Sequence, residues 1–122
     1  MVTLSDELLP LIPMKPEAFT VLLTLLEEPG HGYAILQAAK ANAAARGDLQ
    51  PGSLYRLLAR LLDSGLVAEV PPDDVPVGAD VRRRYYQITD LGRAAVEAES
   101  DRMAALVDSA RRHLVGAGGE VQ

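Results

Sequence analysis

Between Pro51 and Gly65 leucine recurs at positions 54, 57, 58, 61 and 62. That i, i+3, i+4, i+7, i+8 spacing predicts a helix with one apolar stripe turned to a core. Pro51 suits the first helical position, where its missing N–H costs little, and Gly65 suits a left-handed C-terminal residue. At about 100° per residue Arg56 stands opposite the leucine stripe, Ser53 and Arg60 flank it, and Tyr55 lies on the border. A helix held by leucines that presents a hydroxyl and two guanidiniums has the make-up of a DNA recognition helix. On this stretch alone, a surface helix with solvated arginines accounts for the pattern equally well.

The rest of the chain reads as a mounting for that helix. Residues 1–14 form an apolar arm with a short helix from Ser5 to Leu9, Ser5 serving as N-cap and Pro10 and Pro13 ending it. Its Leu4, Leu8, Leu9, Leu11 and Ile12 require cover, from the chain's own domain or from a partner subunit. A helix from Pro16 to Glu28 is apolar over a wide arc (Ala18, Phe19, Leu22, Leu23, Leu25, Leu26) and belongs deep in the core. Pro29-Gly30 ends it, His31-Gly32 makes a tight turn, and a helix from Tyr33 to Ala45 follows, with Ile35, Leu36 and Ala39 inward. Three helices with short links have helix-turn-helix spacing. After Gly65 the period changes to that of strands, at Leu66–Val70 and Val81–Ile88, joined by a turn-rich segment of residues 71–80. Two strands and a long loop directly after the third helix make a wing. Alternation puts Arg82, Arg84, Tyr86 and Ile88 on one face and Arg83, Tyr85 and Gln87 on the other. Tyr86 and Ile88 are expected to face the core, and Arg83 to be the first of the three arginines to reach phosphate.

Thr89 or Asp90 then caps a last helix running to about Leu114, a rod of roughly 37 Å at 1.5 Å per residue. Its apolar residues fall in two stripes: Leu91, Ala94, Ala95, Ala98 and Ala105 in one, Val96, Met103, Val107, Ala110 and Leu114 in the other, with Leu106 between. Two stripes call for two partners, most simply the chain's own domain and a second subunit, with an intramolecular hairpin as the alternative. The expected fold is therefore mainly α with a two-stranded β wing: an N-terminal arm (1–14), a winged helix-turn-helix (15–89), a dimerisation helix (90–115) and a flexible tail (116–122). The dimer contacts expected are Leu91, Ala95, Ala98, Met103, Leu106, Val107, Ala110 and Leu114.

Composition narrows the function. The chain has 122 residues, 48% hydrophobic and 4% aromatic, a balance that favours helix over sheet and disorder. The absence of cysteine excludes disulfides, thiolate metal sites and cysteine nucleophiles. His31 and His113 make no metal motif, and no Gly-rich phosphate loop or catalytic constellation is present, so neither an enzyme nor a cofactor is expected. Neither a signal-peptide pattern nor an apolar run of membrane-spanning length occurs, so a soluble, cytoplasmic protein is the expectation. The net charge of −5 argues against nucleic acid only until its distribution is considered. Arg56 and Arg60 lie on the candidate helix and Arg82, Arg83 and Arg84 form one run, while much of the acidic excess sits at Asp6, Glu7, Glu27, Glu28, Glu97, Glu99 and Asp101.

Three blocks, HGYAIL at 31–36, PGSLYRLLARLLDSGLV at 51–67 and RRRYYQITDLGR at 82–93, together resemble the PadR-like transcriptional regulators, in particular the short members that close on a single dimerisation helix. The resemblance implies a homodimeric winged helix-turn-helix repressor on a pseudo-palindromic double-stranded DNA operator. Ser53, Tyr55 and Arg56 would match the start of its recognition helix, and Arg83 and Arg84 its basic wing strand. With Arg60 and Arg82 these make up the expected DNA-binding set. A small-molecule effector acting at the dimer interface would provide release. Two features depart from the family pattern. Asp73, Asp74 and Asp80 make the wing tip acidic, and with no Trp and Phe19 as the single Phe, an aromatic pocket for flat ligands is poorly supplied. A winged helix that docks proteins and not DNA is the alternative.

Overall fold

The structure, a computed structural model, describes residues 4–42, 44, 49–75, 77–78 and 82–121, without the side chains of 4, 5 and 117–121. Ala45, Asp80 and Val81 lie outside the described residues. The elements are α1 (Leu4–Leu8), a 3-10 turn (Leu9–Leu11), α2 (Pro16–Glu27), β1 (Gly30–His31), α3 (Gly32–Ala41), α4 (Pro51–Asp63), β2 (Val67–Glu69), a second 3-10 turn (Pro72–Asp74), β3 (Tyr85–Ile88) and α5 (Asp90–Val121).

The leucine stripe of α4 forms as its spacing demands: Leu54, Leu57, Leu58 and Leu61 are buried against Val21, Leu22 and Leu25 of α2 and Ile35, Leu36 and Ala39 of α3 in one core. Pro51 takes the first position of α4, and Gly65, at φ +77°, turns the chain out of it in the left-handed region open to glycine. Helix α3 ends at Ala41, four residues before the expected Ala45. Helix α1 already includes Leu4 and Ser5, so Ser5 is within the helix and is not its N-cap.

The sheet differs from expectation in two ways. It has three strands in the order β1-β3-β2, not two, because Gly30–His31 pairs antiparallel with β3, His31 opposite Tyr85 and Gly30 opposite Tyr86. The second wing strand begins at Tyr85, and Arg82, Arg83 and Arg84 precede it in non-strand backbone. With β1 covering one edge, both Tyr85 and Tyr86 are buried, so Tyr85 does not face solvent as strict alternation would require. Ile88 packs half-buried against the core.

A knot of hydrogen bonds joins the end of α4 to the start of α5. The Thr89 hydroxyl donates to the Gly65 carbonyl (2.6 Å) and accepts from the Gly92 N–H (3.0 Å), and the Thr89 N–H donates to the Leu66 carbonyl (3.1 Å). Thr89 is thus the N-cap of α5, the first of the two residues expected there.

Helix α5 has 32 residues and runs past Leu114 to Val121. Its division is along its length more than around it. Leu91, Ala95 and Val96 belong to the chain's own core, and Met103 is half-buried, whereas residues 104–116 are exposed apart from a half-buried Ser109. Val96, expected in the second stripe, is therefore internal, and Ala105, expected in the first, is not. Leu91 and Ala95 are likewise taken up by this chain. The domain is shorter than the rod, so position along the axis decides burial. The N-terminal arm packs on its own α5: Leu8, Leu11 and Met14 lie against the core, and the Met14 N–H donates to Glu99 Oε2 (2.6 Å). Glu99 is 1% exposed and also accepts from Arg102 Nε and Nη2. Hydrogen bonding from Arg102 holds the Glu99 carboxyl below its usual range against the opposing pull of burial. No helix is long and apolar enough to cross a membrane, and no group of three or more His, Cys, Asp or Glu could hold a metal ion, both among the described residues.

Candidate nucleic-acid interface

The outward face of α4 carries Ser53, Arg56 and Arg60 within two turns, as the opposition to the leucine stripe requires. Arg56 Nη2 donates to Ser53 Oγ (3.4 Å), so the hydroxyl and guanidinium stand together at the helix start. Arg60 is exposed one turn on. Tyr55 is 55% exposed and leans from α4 across to the start of α3. Its ring rests on Gly32, where a Cβ would come within 2.7 Å of the hydroxyl oxygen, so a side chain at position 32 would displace it.

Between α3, α4 and the wing lies a cleft of about 420 Å³ lined by His31, Gly32, Tyr33, Tyr55, Tyr86 and the run Arg82, Arg83 and Arg84. The structure thus gathers Tyr55 and all three wing arginines in one place. Ser53, Arg56 and Arg60 stand outside this cleft, on the helix that forms one of its walls.

The three arginines are not equivalent. Arg84 forms a two-pronged bridge to Glu69 on β2, Nε to Oε1 at 3.2 Å and Nη2 to Oε2 at 3.0 Å, with its guanidinium 5.7 Å from the Tyr86 ring centre. The hydrogen bond from Arg84 holds Glu69 below the usual carboxylate range, and the same bond raises Arg84. Its charge is therefore offset locally. Desolvation, by contrast, pushes the Tyr86 hydroxyl up. Arg83 reaches the other way, its Nη1 lying 3.0 Å from both ring nitrogens of His31 and its guanidinium 6.0 Å from the Tyr33 ring centre. Arg82 is exposed.

Four members of the cleft wall, His31, Gly32, Tyr33 and Tyr86, were not in the expected DNA-binding set, and of these His31 and Tyr33 are the pair that meets Arg83. His31 shapes the turn, as its position before Gly32 indicated, by accepting from the Ala34 N–H through Nδ1 (3.1 Å) as N-cap of α3. The sequence signal that could have found the pair is the aromatic doublet around one glycine, His31-Gly32-Tyr33, in the first helical turn.

Of the residues expected at a subunit contact, Leu106, Val107, Ala110 and Leu114 are exposed on α5, Leu106 at 58% and Leu114 at 71%. Ala98 and Met103 are half-buried. At the root of the exposed rod a second cleft, of about 380 Å³, is bounded by Met14, Phe19, Leu23, Leu49, Glu99 and Met103 among others.

The sequence profile of the Transcriptional regulator PadR-like family matches residues 21–98. Among solved structures, a transcriptional regulator from Clostridium thermocellum is similar at 21% identity over 78% of this chain and 86% of that one, with a TM-score of 0.63. A PadR family regulator from Eggerthella lenta shares 28% identity over 81% and 84% of the two chains, at a TM-score of 0.57. The Bacillus subtilis PadR in complex with operator DNA is similar at 19% identity over 69% of this chain and 46% of that one, at 0.56. No curated protein matches the chain.

Proposed function

Because the chain belongs to the Transcriptional regulator PadR-like family, we propose that it is a sequence-specific DNA-binding repressor acting as a cytoplasmic homodimer on a pseudo-palindromic operator. The observation that carries this reading is the joining of α4 and the wing around one basic, tyrosine-lined cleft, with Ser53 and Arg56 paired beside it. A recognition helix offers free N–H groups and the positive end of its dipole to phosphate at its N-terminus. Arg56 and Arg60 are the side chains of α4 suited to guanine O6 and N7, each such pairing being worth about 1–3 kcal/mol of discrimination. Arg82 and Arg83 contribute phosphate affinity that falls with salt. Arg84, bridged to Glu69, contributes less. The Bacillus subtilis relative bound to operator DNA supports the same use of this fold.

Two copies joined along the exposed half of α5 would set their recognition helices about one DNA turn, roughly 34 Å, apart. The cleft at the root of the rod supports control by a small-molecule effector that changes this separation. No catalytic step enters this reading.

Binding to the protein's own promoter region at two salt concentrations tests it. The Arg56→Ala, Arg83→Ala double variant is expected to lose at least about tenfold in affinity, with a salt slope shallower by about one for each phosphate no longer neutralised. The alternative, a winged helix that docks proteins, predicts no operator protection and little salt dependence. Equal binding by wild type and double variant overturns the assignment of this face.

A further inference from the structure

The first turn of α3 holds a contact that recognition of the basic wing does not by itself explain. His31 is at once the last residue of β1, placed opposite Tyr85, and the N-cap of α3. Its ring is thereby fixed from two sides: edge-on to Tyr85 (centres 5.4 Å apart, planes at 80°) and stacked on Tyr33 (6.5 Å, 19°). Capping uses Nδ1 as the acceptor of the Ala34 N–H, so a neutral ring carries its proton on Nε2. The Arg83 guanidinium lies against this pair, Nη1 at the His31 ring nitrogens and the planar group near the Tyr33 face.

Arg83 itself precedes β3 in irregular backbone, and an arginine there has much rotamer freedom to lose on meeting a ligand. Contacts that restrict it beforehand remove part of that cost from the binding step. Tyr33 is suited to this role. At 60% exposed it contributes little to the core, yet it stands in the cleft facing the wing. Arg84, by comparison, is tied to Glu69, whereas Arg83 is held by His31 and Tyr33 in the cleft beside α4.

We propose that His31 and Tyr33 are positioning residues of the DNA interface, fixing the Arg83 guanidinium at the mouth of the cleft for contact with a backbone phosphate. The proposal rests on the DNA-binding function above and deepens it. Neither residue needs to touch DNA, since both act through Arg83.

A binding cycle with the operator-bearing promoter fragment tests this. His31→Ser and His31→Asn both retain a good N-cap for α3 while removing the ring from Arg83. Tyr33→Ala removes the second wall at an exposed site. Each is measured alone and combined with Arg83→Ala, with thermal melts confirming the fold. Each is expected to weaken binding about fivefold when Arg83 is present and less than about twofold when it is absent. Equal losses in the two backgrounds, or no loss with Arg83 present, overturns the proposal. If the histidine variants fail to fold, Tyr33→Ala decides by the same criterion. Failure of the wild type to bind any fragment overturns the DNA-binding function and this inference together. Wild-type binding without coupling overturns the inference alone.

Discussion

A chain ending at Ala104 is expected to fold, to sediment as a monomer, and to bind its operator at least about a hundredfold more weakly than the full chain, the loss typical when two linked contacts become one. The position of the cut matters. Ending at Gly92 would remove Ala95, Val96 and Glu99, which are buried in the chain's own core, so a loss of binding could simply report unfolding. Ending at Ala104 keeps every residue of α5 that belongs to the core, together with the bond from the Met14 N–H to Glu99, and removes the run containing Leu106, Val107 and Leu114. Among the described side chains of the rod, those three, with Val115, are the large apolar groups that this chain leaves in solvent. A second copy would give them the burial that favours association. Sedimentation equilibrium reads the assembly state and anisotropy with a labelled promoter fragment reads affinity. A truncated chain that is still dimeric would move the interface to the N-terminal domain.

Gly92→Ala is expected to destabilise the fold by about 3 kcal/mol, at the upper end of what overpacking costs. In a domain of this size that lowers the melting temperature by roughly 10 °C. Gly92 lies in the first turn of α5, where an added Cβ would press directly on the Leu66 carbonyl oxygen and come within 2.7 Å of Ile88 Cγ1. The first obstacle is backbone and cannot rotate away. It is also held in place, because the Leu66 carbonyl accepts from the Thr89 N–H and the Gly92 N–H donates to the Thr89 hydroxyl. Relief requires α5 to lift off the end of α4, which would disturb the wing strands on one side and the arm on the other. Calorimetric melting of the purified variant checks the prediction. A melting temperature within about two degrees of wild type would show that α5 can shift without opening this junction.

Much of this architecture is legible in the residues, and the exceptions have physical causes. Helix α4 is plain because five leucines keep one phase, and because Pro51 and Gly65 mark its ends by backbone chemistry. Strand β1 was not legible. Two residues cannot establish a period of two, and Gly30–His31 becomes a strand only by pairing with a segment some 55 residues later. The burial of Tyr85 follows from that hidden pairing. The arginines of the wing were legible as charge but not as individuals. Arg84 meets Glu69 because β2 and β3 are neighbours in register, whereas Arg83 meets His31 because β1 lies on the other edge. Periodicity along α5 indicated more apolar surface than one domain needs. It carried no information on where the domain stops, which is why the two stripes became two lengths.

The departure of α5 from its domain after Met103 has a geometric consequence. Over residues 104–121 the helix runs about 27 Å at 1.5 Å per residue. A rod fixed at one end and free at the other is a lever. Tilting it by about 10° at its root carries its tip through almost 5 Å, close to one helical pitch. The root is where Glu99, Arg102 and the Met14 backbone meet, so an ångström-scale change in that small polar joint is magnified several-fold at the far end. In a two-fold assembly the same magnification runs in reverse: clamping the tips fixes the attitude of the two domains more tightly than any contact near the joint could.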